Sequence, residues 1–463
     1  MNSMSMSATA NLNFFATPYA AFNPVAPRIV TSKQSYSPFL AFAWVAVALS
    51  VLAIFEPSPG DVAIVLLFVA GLFTGNLRWS RKLTLPFMLL GLFVLANLAS
   101  LCYAIDPASG WLYFAITLFM FVSWFFLVGV LTKYEERGLR VVMLAFTAGG
   151  VVSTMLAVLS YFNLAPLGEW VLFYDRIKGF FKDPNVFAPY LVIVAVYALH
   201  CALLSSGLWR KLAWLASCLV ASIGVLLCYS RAGWMNYVVT LLLFFLFTSI
   251  SRRRAGSSSR TLVYFAIFTT IIAGAFTYAM TIPQISEVLA YRTEMQAYDA
   301  DRFVNFIAAL RLGLSNPLGV GPGQSFLTLD YATHNLYLRT FAENGVLGFL
   351  TFTAFALATL IRSLLLSRKA ANLIQRSLFA LVAAALCGSL LNSFTIDTLH
   401  WRHFWLLLAL GWMPLWTTRR AVARPSGRAP SAMTSSGGFP EPLLTRGLPP
   451  ARAGALNNAE ACL

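Results

Sequence analysis

The chain has 463 residues, of which 59% are hydrophobic and 11% charged. That balance excludes a soluble globular domain and points to a polytopic membrane protein. The formal charge of +16 does not point to nucleic acid, because the basic residues form short clusters between apolar runs, where positive-inside retention accounts for them.

Residues 1–38 carry only Arg28 and Lys33 and lack a basic-then-apolar signal pattern, so they read as a cytoplasmic N-terminal tail. A transmembrane catalytic domain is expected over residues 39–417, built from twelve apolar runs at roughly 39–55, 60–76, 83–104, 111–131, 139–162, 184–204, 209–228, 231–250, 261–281, 344–366, 373–395 and 401–417. Most are long enough to cross a hydrocarbon core of about 30 Å. Backbone groups in lipid must be satisfied internally, so the runs should be helices. Every even-numbered run is followed by basic residues, among them Arg78, Arg81 and Lys82, then Lys133, Arg137 and Arg140, then Arg252, Arg253 and Arg254. Both termini should therefore be cytoplasmic. Nine cations fall on the outer side: Arg176, Lys178, Lys182, Arg231, Arg292, Arg302, Arg311, Arg339 and Arg402.

Two outer segments are long enough to hold structure, 163–183 and 282–343. Within the second, Phe303, Phe306, Ile307, Leu310 and Leu314 recur at helical spacing, so an amphipathic helix is expected over Asp301–Leu314. Asn316-Pro317 and a Gly-rich run should end it. Residues 418–463 are rich in Pro, Gly, Ser and Ala and are expected to be a disordered cytoplasmic C-terminal tail. No internal repeat is visible. The six cysteines include no C-x-x-C pair and read as small packing residues. The fold class is thus an all-α polytopic membrane protein of about twelve transmembrane helices, with short amphipathic helices in its long outer loop.

The longest polar stretch holds His334-Asn335, after a Gly-rich turn and before an apolar helix start. A neutral imidazole there can accept a proton near neutral pH. His200 reads as a packing residue, and His400 and His403 flank Trp401 and Arg402 at the outer start of the last run. Arg231 follows a very short loop and lies at the bilayer surface, either facing a polar cavity or snorkelling outward as an anchor. Arg302 and Arg311 are nine residues apart and face opposite ways on a straight helix. Arg302 is expected to look into the site, and Arg311 suits a carboxylate, a lipid headgroup or a substrate. Arg176, Lys178 and Lys182 lead into Asp183-Pro184-Asn185, which reads equally as a capped helix with solvated lysines or as a phosphate-binding turn. Asp299-Ala300-Asp301 has the spacing of a metal-binding D-x-D, although two carboxylates ahead of a helix also serve its dipole. Glu56 and Asp61 are another possible acidic site. A group of cations around one histidine suits a diphosphate leaving group. A transporter would instead place ionisable residues in mid-span, whereas here they collect at one face.

Several segments together resemble the O-antigen ligase and polymerase superfamily: Gly179-Phe180-Phe181-Lys182-Asp183-Pro184-Asn185, Ser230-Arg231-Ala232-Gly233, Arg302, Pro317-Leu318-Gly319-Val320-Gly321-Pro322-Gly323, His334-Asn335-Leu336-Tyr337-Leu338 and Glu343-Asn344-Gly345. The likeness is closest to lipopolysaccharide O-antigen ligases of Gram-negative bacteria. It implies a GT-C-type glycosyltransferase of the inner membrane, with its active site at the periplasmic face. It also implies inverting transfer of a glycan from undecaprenyl diphosphate to a sugar hydroxyl of lipid A-core, with no cofactor or metal. Carried over by motif, His334 is the general base, and Arg231 and Arg302 bind the diphosphate. Arg176, Lys182, Asn335 and Arg311 are the remaining expected substrate contacts. The same motifs leave open an O-antigen polymerase or a protein O-oligosaccharyltransferase using the same donor. One departure is the lack of a clear acidic catalytic residue in the first outer loop, which favours the metal-free reading.

Overall fold

The computed structural model describes residues 37–254, 261–294, 297–329 and 333–416. The tails expected at 1–38 and 418–463 lie outside these residues but for the last two positions of the first. The elements run in the order α1 (Pro38–Leu49), α2 (Pro59–Phe73), α3 (Thr84–Ser100), α4 (Pro107–Tyr161), α5 (Gly168–Val171), β1 (Leu172–Phe173), β2 (Arg176–Ile177), α6 (Pro184–Leu204), α7 (Leu208–Leu227), α8 (Arg231–Arg254), α9 (Thr261–Ala279), α10 (Pro283–Thr293), α11 (Ala297–Ser315), α12 (Ser325–Thr328), α13 (Leu336–Lys369), α14 (Leu373–Asn392) and α15 (Arg402–Gly411).

Each of the twelve apolar runs falls on a helix, but not each helix is a full crossing. Among the described residues, seven helices are long and apolar enough to span a membrane, and an eighth follows if α9 and α10, bent by 103°, are taken together. The shortfall has physical causes. The 55 residues of α4 would extend about 80 Å at 1.5 Å per residue. The helix therefore breaks at Glu135 (φ 50°, ψ −127°) and covers two of the expected runs. α1 and α2 have 12 and 15 residues, too few for one straight crossing. α15 has ten residues, and the chain beyond it is held by side chains. Arg362 donates to the carbonyls of Gly411 and Met413 and lies over the Trp412 ring, while Gln375 donates to the Trp416 carbonyl. These donors replace the helical bonds that the extended stretch gives up.

The centre of the bundle is α6 and α14. Both are apolar on all sides because they are buried on all sides. α6 packs on α7 and α8, and α14 on α8 and α13. The expected amphipathic helix is present as α11. It buries Ala309 and leaves Phe303, Ile307 and Leu314 exposed, as an interfacial helix would. The first outer segment forms a small antiparallel hairpin that the sequence did not announce, with Leu172 opposite Ile177 and Phe173 opposite Arg176.

The Gly-rich run and Glu343-Asn344-Gly345 are two halves of one joint. α13 breaks at Gly345 (φ 69°, ψ −171°), which frees carbonyls and amides of the helix ladder. The Gly-rich run supplies the partners. Val320 N–H donates to the Ala342 carbonyl (3.0 Å), Gly321 N–H to the Glu343 carbonyl (3.0 Å), and Val346 N–H to the Pro317 carbonyl (2.9 Å). The backbones approach so closely that a Cβ on Gly345 would meet the Pro317 oxygen at 2.3 Å. Gly345→Ala should therefore destabilise the protein by at least about 1–3 kcal/mol from backbone strain alone. Thermal unfolding in detergent would show the loss, and an unchanged midpoint would mean that the joint is not a lock.

Candidate active site

His334 precedes α13 and adopts a left-handed backbone (φ 45°), a conformation that costs a non-glycine residue energy and is found where the surroundings enforce it. The next residue supplies the enforcement. Asn335 Oδ1 accepts from Tyr337 N–H and Leu338 N–H, both at 3.0 Å, while its Nδ2 donates to the Phe394 carbonyl at 3.0 Å. Leu336 N–H donates to the Ser393 carbonyl (3.0 Å). The start of α13 is thus pinned to the connection between α14 and α15, and His334 is held beside that connection.

Two cavities adjoin there, with Ile396 lining both. The first, of about 840 Å³, is lined by Arg176, Arg231, Arg292 and Arg302 together with Asn185 and Tyr229 and, among the described residues, by no carboxylate. The β-hairpin, α8, α10 and α11 each bring one arginine. Arg176 is buried; its Nε donates to the Cys228 carbonyl (2.8 Å) and its Nη2 to Asn185 Oδ1 (3.0 Å). Four guanidinium groups converging on one cavity suit an anion, which their planar forks can grip at two points.

The second cavity, of about 900 Å³, holds His334 with Asp183, Glu343, Asp397, Arg339 and the rings of Tyr113, Phe326 and Trp401. Arg339 is bound by both neighbouring carboxylates, Glu343 at 3.0 Å and Asp397 more closely, and lies 5.2 Å over the Tyr113 ring. Glu343 is fully employed: it also accepts from Gly323 N–H (2.8 Å) and the Ser325 hydroxyl (2.6 Å), which ties the Gly-rich run to α13. Asp397 caps the turn before α15 through Leu399 N–H (3.0 Å). Its carboxyl sits below the ordinary range: burial raises it, but the charge and hydrogen bonds around it, Arg339 first, together outweigh burial. His400 bonds Thr117 (3.0 Å), and burial pushes it down to about 3.

His334 stands between opposed fields. Burial lowers its pKa first and the Arg302 charge second, while Asp397 and Asp183 pull it up; the net shift is downward. The imidazole is neutral at pH 7 and able to take a proton.

Four of the expected contact residues, Arg176, Arg231, Arg302 and His334, line these two cavities. Three do not. Lys182 is exposed and pairs with Glu56 at 2.6 Å. Asn335 spends its amide on capping α13. Arg311 is exposed on the other face of α11 and lines neither cavity. The acidic pair of the first outer loop is also spoken for, since Asp61 caps α2 and forms a two-point bond with Arg402. The side chain of Asp299 lies outside the described residues. Sequence reasoning missed Tyr113, Phe326 and Asp397. Only Asp397 gave a signal, as a carboxylate at the edge of the last apolar run.

No curated protein matches the chain. A family model described as O-antigen ligase matches residues 216–353, a stretch that contains Arg231, Arg292, Arg302, His334, Arg339 and Glu343. The matched segment, which carries the arginines of α8, α10 and α11 and the histidine at the start of α13, is similar to the O-antigen ligase family.

Proposed function

We propose that the protein is an O-antigen ligase of lipopolysaccharide biosynthesis. In this reading it transfers a glycan from undecaprenyl diphosphate to a sugar hydroxyl of lipid A-core, at the periplasmic face of a Gram-negative inner membrane. The observation that carries this is the pairing of a four-arginine cavity with a histidine in the cavity that adjoins it. The acceptor oxygen attacks the anomeric carbon as the bond to the diphosphate breaks. The bonding pair leaves on the phosphate oxygen, held by Arg231 and Arg302, and the acceptor proton passes to His334. Attack opposite the leaving group inverts the anomeric centre. No step requires a metal.

The donor's isoprenoid has a place to lie. An apolar groove of about 1330 Å³ runs between α4, α7, α8 and the α9–α10 bend, lined by Phe162, Leu219, Ile223, Trp234 and Ile285 among others. Two helices line both it and the arginine cavity: α8 places Arg231 on the cavity and Trp234 on the groove, and α10 places Arg292 on the cavity and Ile285 on the groove. A lipid with its diphosphate on the arginines can keep its chain in the bilayer.

The test is transfer by purified protein given undecaprenyl-diphosphate glycan and lipid A-core in the presence of EDTA, read as a gel shift of the lipid. Glycan on lipid A-core is expected. Lengthening of the undecaprenyl-linked glycan would mean a polymerase, and neither product would return a transporter to first place. A neutral base is active above its pKa and inactive below it, so kcat/KM should fall on the acid side with a midpoint below the ordinary histidine value of about 6.5. A midpoint above that value would contradict the net downward shift of His334.

A further inference from the structure

We infer that the cavity around His334 is a subsite for an uncharged sugar ring of the acceptor, and that it turns away a ring bearing phosphate. The inference rests on the glycosyl-transfer reading above. Three observations carry it. First, the two cavities differ in charge: among the described residues four guanidinium groups line the arginine cavity, whereas this one is lined by Asp183, Glu343 and Asp397 with the Arg339 guanidinium. A phosphate is drawn to the one and repelled by the other. Second, the wall is aromatic. Tyr113 and Phe326 lie 6.2 Å apart between ring centroids, and Phe326 is 44% exposed although it is wholly apolar. The negative face of such a ring attracts the polarised C–H groups on the flat side of a pyranose. Third, Asp183 has capacity to spare. One oxygen caps α6 by accepting from Asn185 N–H (2.7 Å), and the other can accept from a sugar hydroxyl in a charge-assisted bond. Glu343 and Asp397 are committed to Arg339 and to the backbone, so Asp183 is the carboxylate that reads the ligand. A ring seated here has a hydroxyl beside His334 and its next-door anion site filled by the donor.

The test uses full-length protein in lipid nanodiscs. The donor is undecaprenyl-diphosphate glycan, and two lipid A-core acceptors differ only in whether the outermost hexose is bare or phosphorylated. The wild type should show a kcat/KM about tenfold or more lower for the phosphorylated acceptor, since like charges juxtaposed without compensation are strongly disfavoured. Asp183→Asn, which keeps the helix cap, should narrow that gap. Phe326→Ala should raise the acceptor KM about fivefold through loss of the ring face and leave the donor KM in place. Equal use of both acceptors by the wild type, or a Phe326→Ala effect on the donor KM alone, would overturn the subsite while leaving the ligase reading intact. If the wild type transferred glycan to neither acceptor, the ligase reading would fail. Binding of the delipidated bare core oligosaccharide would then decide the subsite by itself: binding that weakens in Phe326→Ala supports it, and no binding refutes it.

Discussion

His334→Ala is expected to lower the rate of glycan transfer by about 10²–10⁴-fold, the usual contribution of a positioned general base. Two features make the loss large. The imidazole is neutral at working pH because burial and Arg302 together overcome Asp397 and Asp183, so the wild type has nearly all its base in the active form. Its backbone is held in a left-handed conformation by the Asn335 cap and the Leu336–Ser393 bond, so the imidazole starts from a fixed position. Because Asn335 and not His334 caps α13, the variant should fold. Its expression and thermal midpoint should match the wild type, which separates a chemical loss from a structural one. Near-normal turnover would remove His334 from the mechanism.

Arg302→Gln should lower kcat/KM by about 10²–10³-fold, on the scale of losing one donor from a preorganised anion site. It should also do something that mere loss of a structural contact would not. Burial first and the Arg302 charge second lower the His334 pKa; without Arg302 only burial opposes the two carboxylates and the pKa rises. The acid limb of the rate profile should therefore move to higher pH, and activity should be lost sooner as pH falls. Arg231→Lys tests the same cavity by geometry. It keeps the charge at the head of α8 but replaces a planar fork by a point charge, which grips a diphosphate less well. Full activity in Arg231→Lys would leave that residue as an interfacial anchor. An acid limb in Arg302→Gln that stays where it was would show that Arg302 does not act on His334.

Much of this arrangement was legible in the sequence, and the reasons are particular. Lipid forces backbone bonds inward, so apolar length marked α1 to α4, α6 to α9 and α13 to α15. The nine cations expected on the outer side stood out in the sequence because positive-inside retention does not account for them, and four of them line the arginine cavity. The spacing of Arg302 and Arg311 put them on opposite faces of α11, and of the two it is Arg302 that lines the arginine cavity. What stayed hidden depends on contacts distant in sequence. Gln324 Nε2 and Oε1 bond the backbone near Asp106 from across the chain, which brings α12 with Phe326 up to Tyr113; nothing local announces that. Asn335 looked like a substrate contact because an asparagine beside a catalytic candidate and an asparagine capping a helix are the same letter. Lys182 looked like part of the cation group, yet the turn after Gly179 aims it at Glu56 instead. The broken ends were the least legible: a helix interrupted at Gly345 and another stopped at Gly411 survive because Pro317–Gly323 and Arg362 satisfy the freed backbone, and those partners lie tens of residues away.

The central claim is that His334 takes the acceptor proton while the arginine cavity holds the donor. Single-turnover transfer by nanodisc-embedded wild type and His334→Ala, with bound undecaprenyl-diphosphate glycan quantified on the same samples, tests it most directly. The account predicts equal donor occupancy in the two proteins and transfer abolished in the variant. Transfer at the wild-type rate, or a variant that fails because it no longer binds donor, would contradict it.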